Sequence, residues 1–226
     1  MGLTAKKTGG VDFEPTPAGL FHTICYGVVD IGTHTKNFQG SEYDAHEVIL
    51  IWEIPECRIE IEKDGELKDL PRVISKRYTL SLSPKSNLYK DLVTWRGKQF
   101  TDEELEGFDL KKLLEANCQL NVIHTKKNDK TYANVGNIVP APKESKGKPV
   151  KRKAENPLLY FSFEDLNVDE EIEIPDTMPD WIKSLIQDSH EWDLLNGTRE
   201  GIEKRQEKEE ELAGKPAENI EDDLPF

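Results

Sequence analysis

Three stretches of this 226-residue chain set cationic side chains beside aromatic rings. Residues 34–43 hold Lys36, Phe38 and Tyr43; residues 76–78 are Lys76, Arg77 and Tyr78; residues 126–132 hold Lys126, Lys127, Lys130 and Tyr132. Trp52 adds another ring inside an apolar run, where core packing is its competing role. Cations along a groove hold a phosphodiester backbone, and rings give unpaired bases a surface to stack on, worth about 1–3 kcal/mol per base. Arginine can do both. Lys36 and Phe38 are two apart, so an extended chain points them the same way. A phenylalanine among polar residues and glycines has little core to enter. These residues are the candidate contacts for a single-stranded nucleic acid.

A second chemistry lies in Glu221-Asp222-Asp223-Leu224-Pro225-Phe226, with which the sequence ends. Pro225 fixes its own φ and disfavours helix at Leu224, so the peptide is already extended. Asp222, Asp223, Leu224, Pro225 and Phe226 form a compact ligand for a partner that offers an apolar pocket with basic residues at its lip. Phe226 brings an aromatic ring and, as the final residue, an α-carboxylate.

Residues for catalysis are harder to assemble. There is no Gly-x-x-x-x-Gly-Lys phosphate loop and no His-Glu-x-x-His pair. Cys25, Cys57 and Cys118 are widely spaced and odd in number, which reads as reduced core or half-buried thiols. The five histidines lack metal-ligand spacing, and His22, His46 and His124 read as structural. Glu103-Glu104 and Asp169-Glu170-Glu171 could hold a nuclease metal, but they read better as solvated acidic faces. The expectation is a binding protein, not an enzyme, with no catalytic residue, metal or cofactor.

Five strands and a helical stretch would have to position these groups. Strands are expected at 21–31, 46–54, 72–82, 118–125 and 131–139, from their β-branched and aromatic content and their alternation. Residues 32–45 read as a long polar loop, Pro55 as a strand end, and 62–71 as carrying a turn. Leu88, Leu92 and Trp95 recur at helical spacing after Ser83-Pro84, and a short helix is expected at 109–116. Three strands, a helical segment and a hairpin follow the order of an OB-fold, a five-stranded Greek-key barrel. Some other small barrel or a sandwich is the alternative. The fold class is thus mainly β, with intervening helices, an extra C-terminal helix and an acidic tail. The expected organisation is a flexible N-terminus at 1–12, the barrel at 13–142, a basic linker or loop at 143–156, a C-terminal extension at 157–197 and a disordered tail at 198–226. The extension carries a helix at 179–195, whose Trp181, Leu185 and Trp192 lie near one face, with Ile182 and Ile186 adjoining. That stripe reads as a contact with its own barrel or with a second copy, in a homodimer.

Charge divides the chain in the same way. Residues 164–226 carry 21 acidic and 6 basic side chains, and residues 1–163 carry 23 and 24. The formal net charge of −14 and the pI near 4.9 therefore belong to the C-terminal quarter and do not argue against nucleic-acid binding by the rest. The longest apolar run, 48–52, is far too short to cross a bilayer. No signal peptide is evident, so a soluble cytoplasmic protein without membrane contact is expected.

The residues at 222–226 resemble the acidic tip of bacterial-type single-stranded DNA-binding proteins, which characteristically end Asp-Asp-Asp-Ile-Pro-Phe; Leu224 takes the isoleucine place. The body lacks that family's familiar N-terminal sequence. It looks instead like bacteriophage single-stranded DNA-binding proteins, through Val29-Asp30-Ile31-Gly32-Thr33, through Phe108-Asp109-Leu110 leading to Cys118, and through Tyr132-Ala133-Asn134-Val135 leading to Ile138-Val139-Pro140. The resemblance implies coating of single-stranded DNA in DNA replication, recombination and repair. It also implies recruitment of replication and recombination proteins through the tip, in the host cytoplasm if the protein is phage-encoded. Two alternatives stay open: an acidic interaction module that mimics DNA, and a strand-annealing protein.

Overall fold

The computed structural model describes residues 14–63, 65–128, 130–166 and 172–197. The expected flexible N-terminus, the acidic tail and its tip, and Asp169-Glu170-Glu171 lie outside them. The chain divides into two compact units, Met1–Asp30 with Glu47–Phe161, and Ile31–His46 with Ser162–Phe226.

Most of the described chain is β. In order come β1 (Gly19–Phe38), β2 (Ser41–Lys63), β3 (Glu66–Thr79), α1 (Asn87–Arg96), α2 (Asp102–Glu106), a 3-10 turn at Leu110–Leu113, β4 (Asn117–Lys127), β5 (Lys130–Pro140), β6 (Leu159–Phe161), a 3-10 turn at Phe163–Asp165, and α3 (Asp180–Gln187). Residues 190–197 are helical as well. The sheet runs β3-β2-β1-β4-β5, and the short β6 pairs with β1 in parallel. β2–β3, β1–β4 and β4–β5 are antiparallel. β3 and β5 stand at the two ends of that order yet lie in contact, with α1 packed on both. Among the described residues no ladder joins them. None of the described helices is long and apolar enough to cross a membrane.

Alternation builds the core of the first unit. Val48, Leu50, Trp52 and Ile54 of β2 face inward with Ile74 and Tyr78 of β3, Cys118, Leu120 and Val122 of β4, and Val135 and Ile138 of β5. α1 closes this core with Leu88, Leu92 and Trp95, the three residues its helical spacing singles out. Ser86 caps its first turn and Gly97, at φ 67°, its last. Trp52 and Trp95 meet with ring centroids 5.8 Å apart. The other face of β2 is buried too, at Ile49 and Ile51, as an apolar run of that kind requires. All three cysteines carry free thiols, and burial pushes Cys118 up to about 12.

Several expectations need correction. Residues 32–45 are no loop: β1 continues to Phe38, two residues turn, and β2 starts at Ser41. Gln39 and Gly40 have φ of 53° and 83°, the left-handed pair of a type I′ hairpin turn. Pro55 does not end its strand but falls in the register shift between Ile54 and Arg58, where a bulge spares the ladder its missing N–H. Residues 66–71, read with the turn, extend β3 and pair with Arg58–Lys63, while β3 stops at Thr79 and not at 82. The helix at 109–116 is a single 3-10 turn. The helix at 179–195 breaks at Asp188 and Ser189 and resumes at 190. Of the expected stripe, Ile182 and Ile186 are buried, together with Met178, whereas Trp181 stands 53% exposed and Leu185 and Trp192 are half-buried.

The segment 143–156 is ordered and pinned. Lys143 bridges Pro149, and Val150 N–H donates to the Pro142 carbonyl at 2.7 Å. Glu53, fully buried, accepts from the backbone N–H of Glu155 and Asn156 and from Asn156 Nδ2, all within 2.9 Å. Asn117 and Arg152 exchange two further hydrogen bonds.

Candidate nucleic-acid interface

Two hairpins carry exposed rings, and Trp181 of α3 is a further one. In the β4–β5 hairpin, Thr125 pairs with Tyr132, and Lys127 with Lys130. Directly paired residues share a face, as do residues two apart. Lys127, Lys130, Tyr132, Thr125 and Ile123 therefore form one surface, with Asn134 donating from Nδ2 to Thr125 Oγ1 at 2.8 Å. Tyr132 is 47% exposed and Ile123 is exposed beside it. Lys126, paired with Thr131, points to the opposite face. The hairpin thus presents an accessible ring beside a pair of lysines at its tip, an arrangement that can stack on a base and hold phosphates on the tip side of it.

The tip of the β1–β2 hairpin belongs to the second unit. A two-residue turn fixes register, setting Phe38 opposite Ser41 and Lys36 opposite Tyr43. Lys36, Phe38 and Tyr43 then share one face. Phe38 is 63% exposed and Tyr43 53% exposed, so both rings are open to solvent. The hairpin is braced laterally: Thr35 donates to Asp44 Oδ1 at 2.9 Å and lies 3.2 Å from His190 Nε2. Deeper in the hairpin, Glu191 accepts from the Thr33 N–H and hydroxyl, both at 2.6 Å, with His46 Nδ1 at 3.8 Å.

No family model, curated protein or solved structure matches this chain.

The third cluster comes apart. Neighbours along a strand face opposite ways, so Arg77 lies on one face of β3, and Lys76 and Tyr78 on the other. Tyr78 pairs with Val48 and is only 2% exposed; its hydroxyl donates to Asp91 of α1 at 2.8 Å. Burial and that carboxylate push its phenol far above the ordinary range. Lys76 pairs with the same Asp91 at 2.7 Å and sits over the Tyr78 ring. Trp52 is wholly buried. Neither Trp52 nor Tyr78 can stack on a base without opening the core, and both leave the candidate set. Arg77 stays near the surface as the ion-pair partner of Glu47.

Of the pair Glu103-Glu104, Glu104 has a structural role. Thr101 and Glu104 form a reciprocal capping box on α2, and Glu104 also pairs with Arg96. Arg96 in turn lies over the Phe100 and Phe108 rings. Sequence reasoning missed Ile123 and Asn134 on the β4–β5 face, although the same alternation that gives Tyr132 would have found them. It also missed the anchoring of 143–156, for which a lone Glu53 inside an apolar run was the available signal: a buried carboxylate must find donors.

Proposed function

We propose that this protein binds single-stranded DNA with little sequence preference, coating it in replication, recombination or repair. The observation that carries this reading is that Tyr132, Phe38 and Tyr43 stand half-exposed, each sharing a hairpin face with lysine. The strand order supports it. A sheet ordered β3-β2-β1-β4-β5, with β3 and β5 in contact and a helix between β3 and β4, is what we read as a partly open OB barrel. In that fold, nucleic acid lies against strands two and three and the loops joining strands one to two and four to five. Each compact unit carries one lysine–aromatic face, on the β4–β5 hairpin in the first and on the β1–β2 hairpin in the second. Residues 222–226, by their resemblance to the acidic tip, would recruit replication and recombination partners, and the acidic C-terminal quarter would compete with DNA for the cationic faces. No catalytic step is assigned.

The test is fluorescence anisotropy of labelled oligo-dT and of a duplex, titrated with protein at several salt concentrations. Preferential binding of oligo-dT, weakening with a log–log slope of about −0.7 per phosphate contacted, is expected. Absence of binding to either would refute the reading and favour an acidic protein-interaction module.

A further inference from the structure

The first unit carries a cationic surface that neither hairpin uses. The pinned segment 143–153 contains Lys143, Lys146, Lys148, Lys151, Arg152 and Lys153 against one carboxylate, Glu144. Beside it lie two adjoining hollows that share Lys112, Ala116, Asn117, Ala141 and Pro149 in their walls. One, of about 510 Å³, is also bounded by Lys151, Arg152 and Lys153, and the other, of about 650 Å³, by Lys143. Lys112, Lys143, Lys151 and Lys153 are exposed, and none has an ion-pair partner among the described residues. Arg152 differs: Glu56 holds it at 3.0 Å. Because the segment is tied down by Asn117, Glu53 and its own bridge, these ammonium groups rise from an ordered backbone, which lowers the entropy cost of using them together.

The floor decides between ligands. Its rings are already engaged: Trp95 is buried with its indole N–H on the Asn117 carbonyl, and Phe108 lies edge-on to Phe100 beneath Arg96. Small residues such as Ala116, Ala141 and Pro149 complete it. None of these rings is offered to a ligand, and with four lysines and Arg152 against Glu115 in the walls, positive charge is what the cleft offers. We infer that the cleft is a second contact for single-stranded DNA, engaging phosphates alone, so that it lengthens the bound strand without adding base preference. The inference rests on the single-strand reading above.

The experiment compares the full chain with a Lys112→Ala/Lys143→Ala/Lys151→Ala/Lys153→Ala variant, a fourfold Lys→Arg counterpart, and Tyr132→Ala. Oligo-dT and mixed-sequence oligonucleotides are titrated across salt. The alanine variant is expected to flatten the salt slope by about 0.7 for each phosphate it no longer engages, alike for both sequences. The arginine variant keeps the slope, and Tyr132→Ala lowers affinity while leaving it. Binding by the unaltered chain with an unchanged slope in the alanine variant would overturn the cleft and leave the single-strand reading standing. No binding by the unaltered chain would sink both. A labelled peptide of residues 217–226 is titrated in parallel; capture that the alanine variant loses, with the DNA slope unmoved, would make the cleft an acidic-peptide site and also overturn the inference.

Discussion

Trp52 and Tyr132 are both rings on strands, and alanine should separate them. Trp52 fills the centre of the first unit against Trp95, so Trp52→Ala removes a large buried side chain and is expected to cost about 3–5 kcal/mol of stability in urea unfolding. Tyr132 stands on an outer face. Tyr132→Ala should move stability by less than about 0.5 kcal/mol while weakening oligo-dT binding by about 1–3 kcal/mol. The reverse pattern would place the bases against β2 and not on the β4–β5 hairpin. Glu53 acts at the same scale. Its carboxylate is the acceptor for two backbone N–H groups, so Glu53→Ala leaves both without it, at roughly 1–3 kcal/mol for each that stays buried. Limited proteolysis within 143–156 should speed up in that variant, and unchanged cleavage would mean the segment is held by its other bonds.

At the scale of the element, the β1–β2 hairpin is held at Gly32 and Thr33. Gly32 sits at φ +74°, and a Cβ there would come within 2.6 Å of Ser189 Cβ and of Glu191 Oε2. Gly32→Ala therefore combines left-handed strain with a clash and should cost at least about 1–2 kcal/mol, read as a fall in thermal midpoint. Burial pushes the Glu191 carboxyl up, but the Thr33 hydroxyl and N–H, its own N–H and nearby His46 pull it down and prevail, leaving it below the ordinary range. A carboxyl depressed in the folded state contributes stability that is complete above its unfolded value, about 4.3, and is lost as pH falls through the folded value. Glu191→Gln should accordingly lose less stability than the unaltered chain as pH drops below about 4.3; parallel acid limbs would show that the Thr33 contact contributes nothing. The hairpin itself was hard to read from sequence, because 32–45 is polar on both faces and hydrophobic alternation, the main strand signal, is missing there. β4, with Cys118, Leu120 and Val122 inward, was legible for the opposite reason. The helix α2 was not expected, although its capping box Thr101-x-x-Glu104 has the residue types and spacing of a helix start. The group Lys76, Arg77 and Tyr78 comes apart because α1 covers the face that Lys76 and Tyr78 share and holds both through Asp91, which strand parity alone does not show. What no local pattern could give is the set of hydrogen bonds to 152–156, made by residues some 35 to 103 positions away.

At the scale of the whole molecule, charge is the variable. Residues 1–163 are nearly neutral, and 164–226 carry the excess of 21 acidic over 6 basic side chains. If the acidic quarter competes with DNA for the lysines of the hairpin faces, the competition is between polyanions and must weaken as salt shortens the Debye length from about 30 Å at 0.01 M to about 3 Å at 1 M. Removing residues 217–226 takes away Glu218, Glu221, Asp222 and Asp223 and no cation. The truncated chain should bind oligo-dT more tightly than the full chain at low salt, and the two curves should converge as salt rises, with thermal unfolding unchanged. A constant offset at every salt concentration would mean that the segment acts by bulk or by a specific contact, not by charge. Equal affinities throughout would remove the acidic quarter from the binding equilibrium and leave only the proposed partner recruitment to residues 222–226.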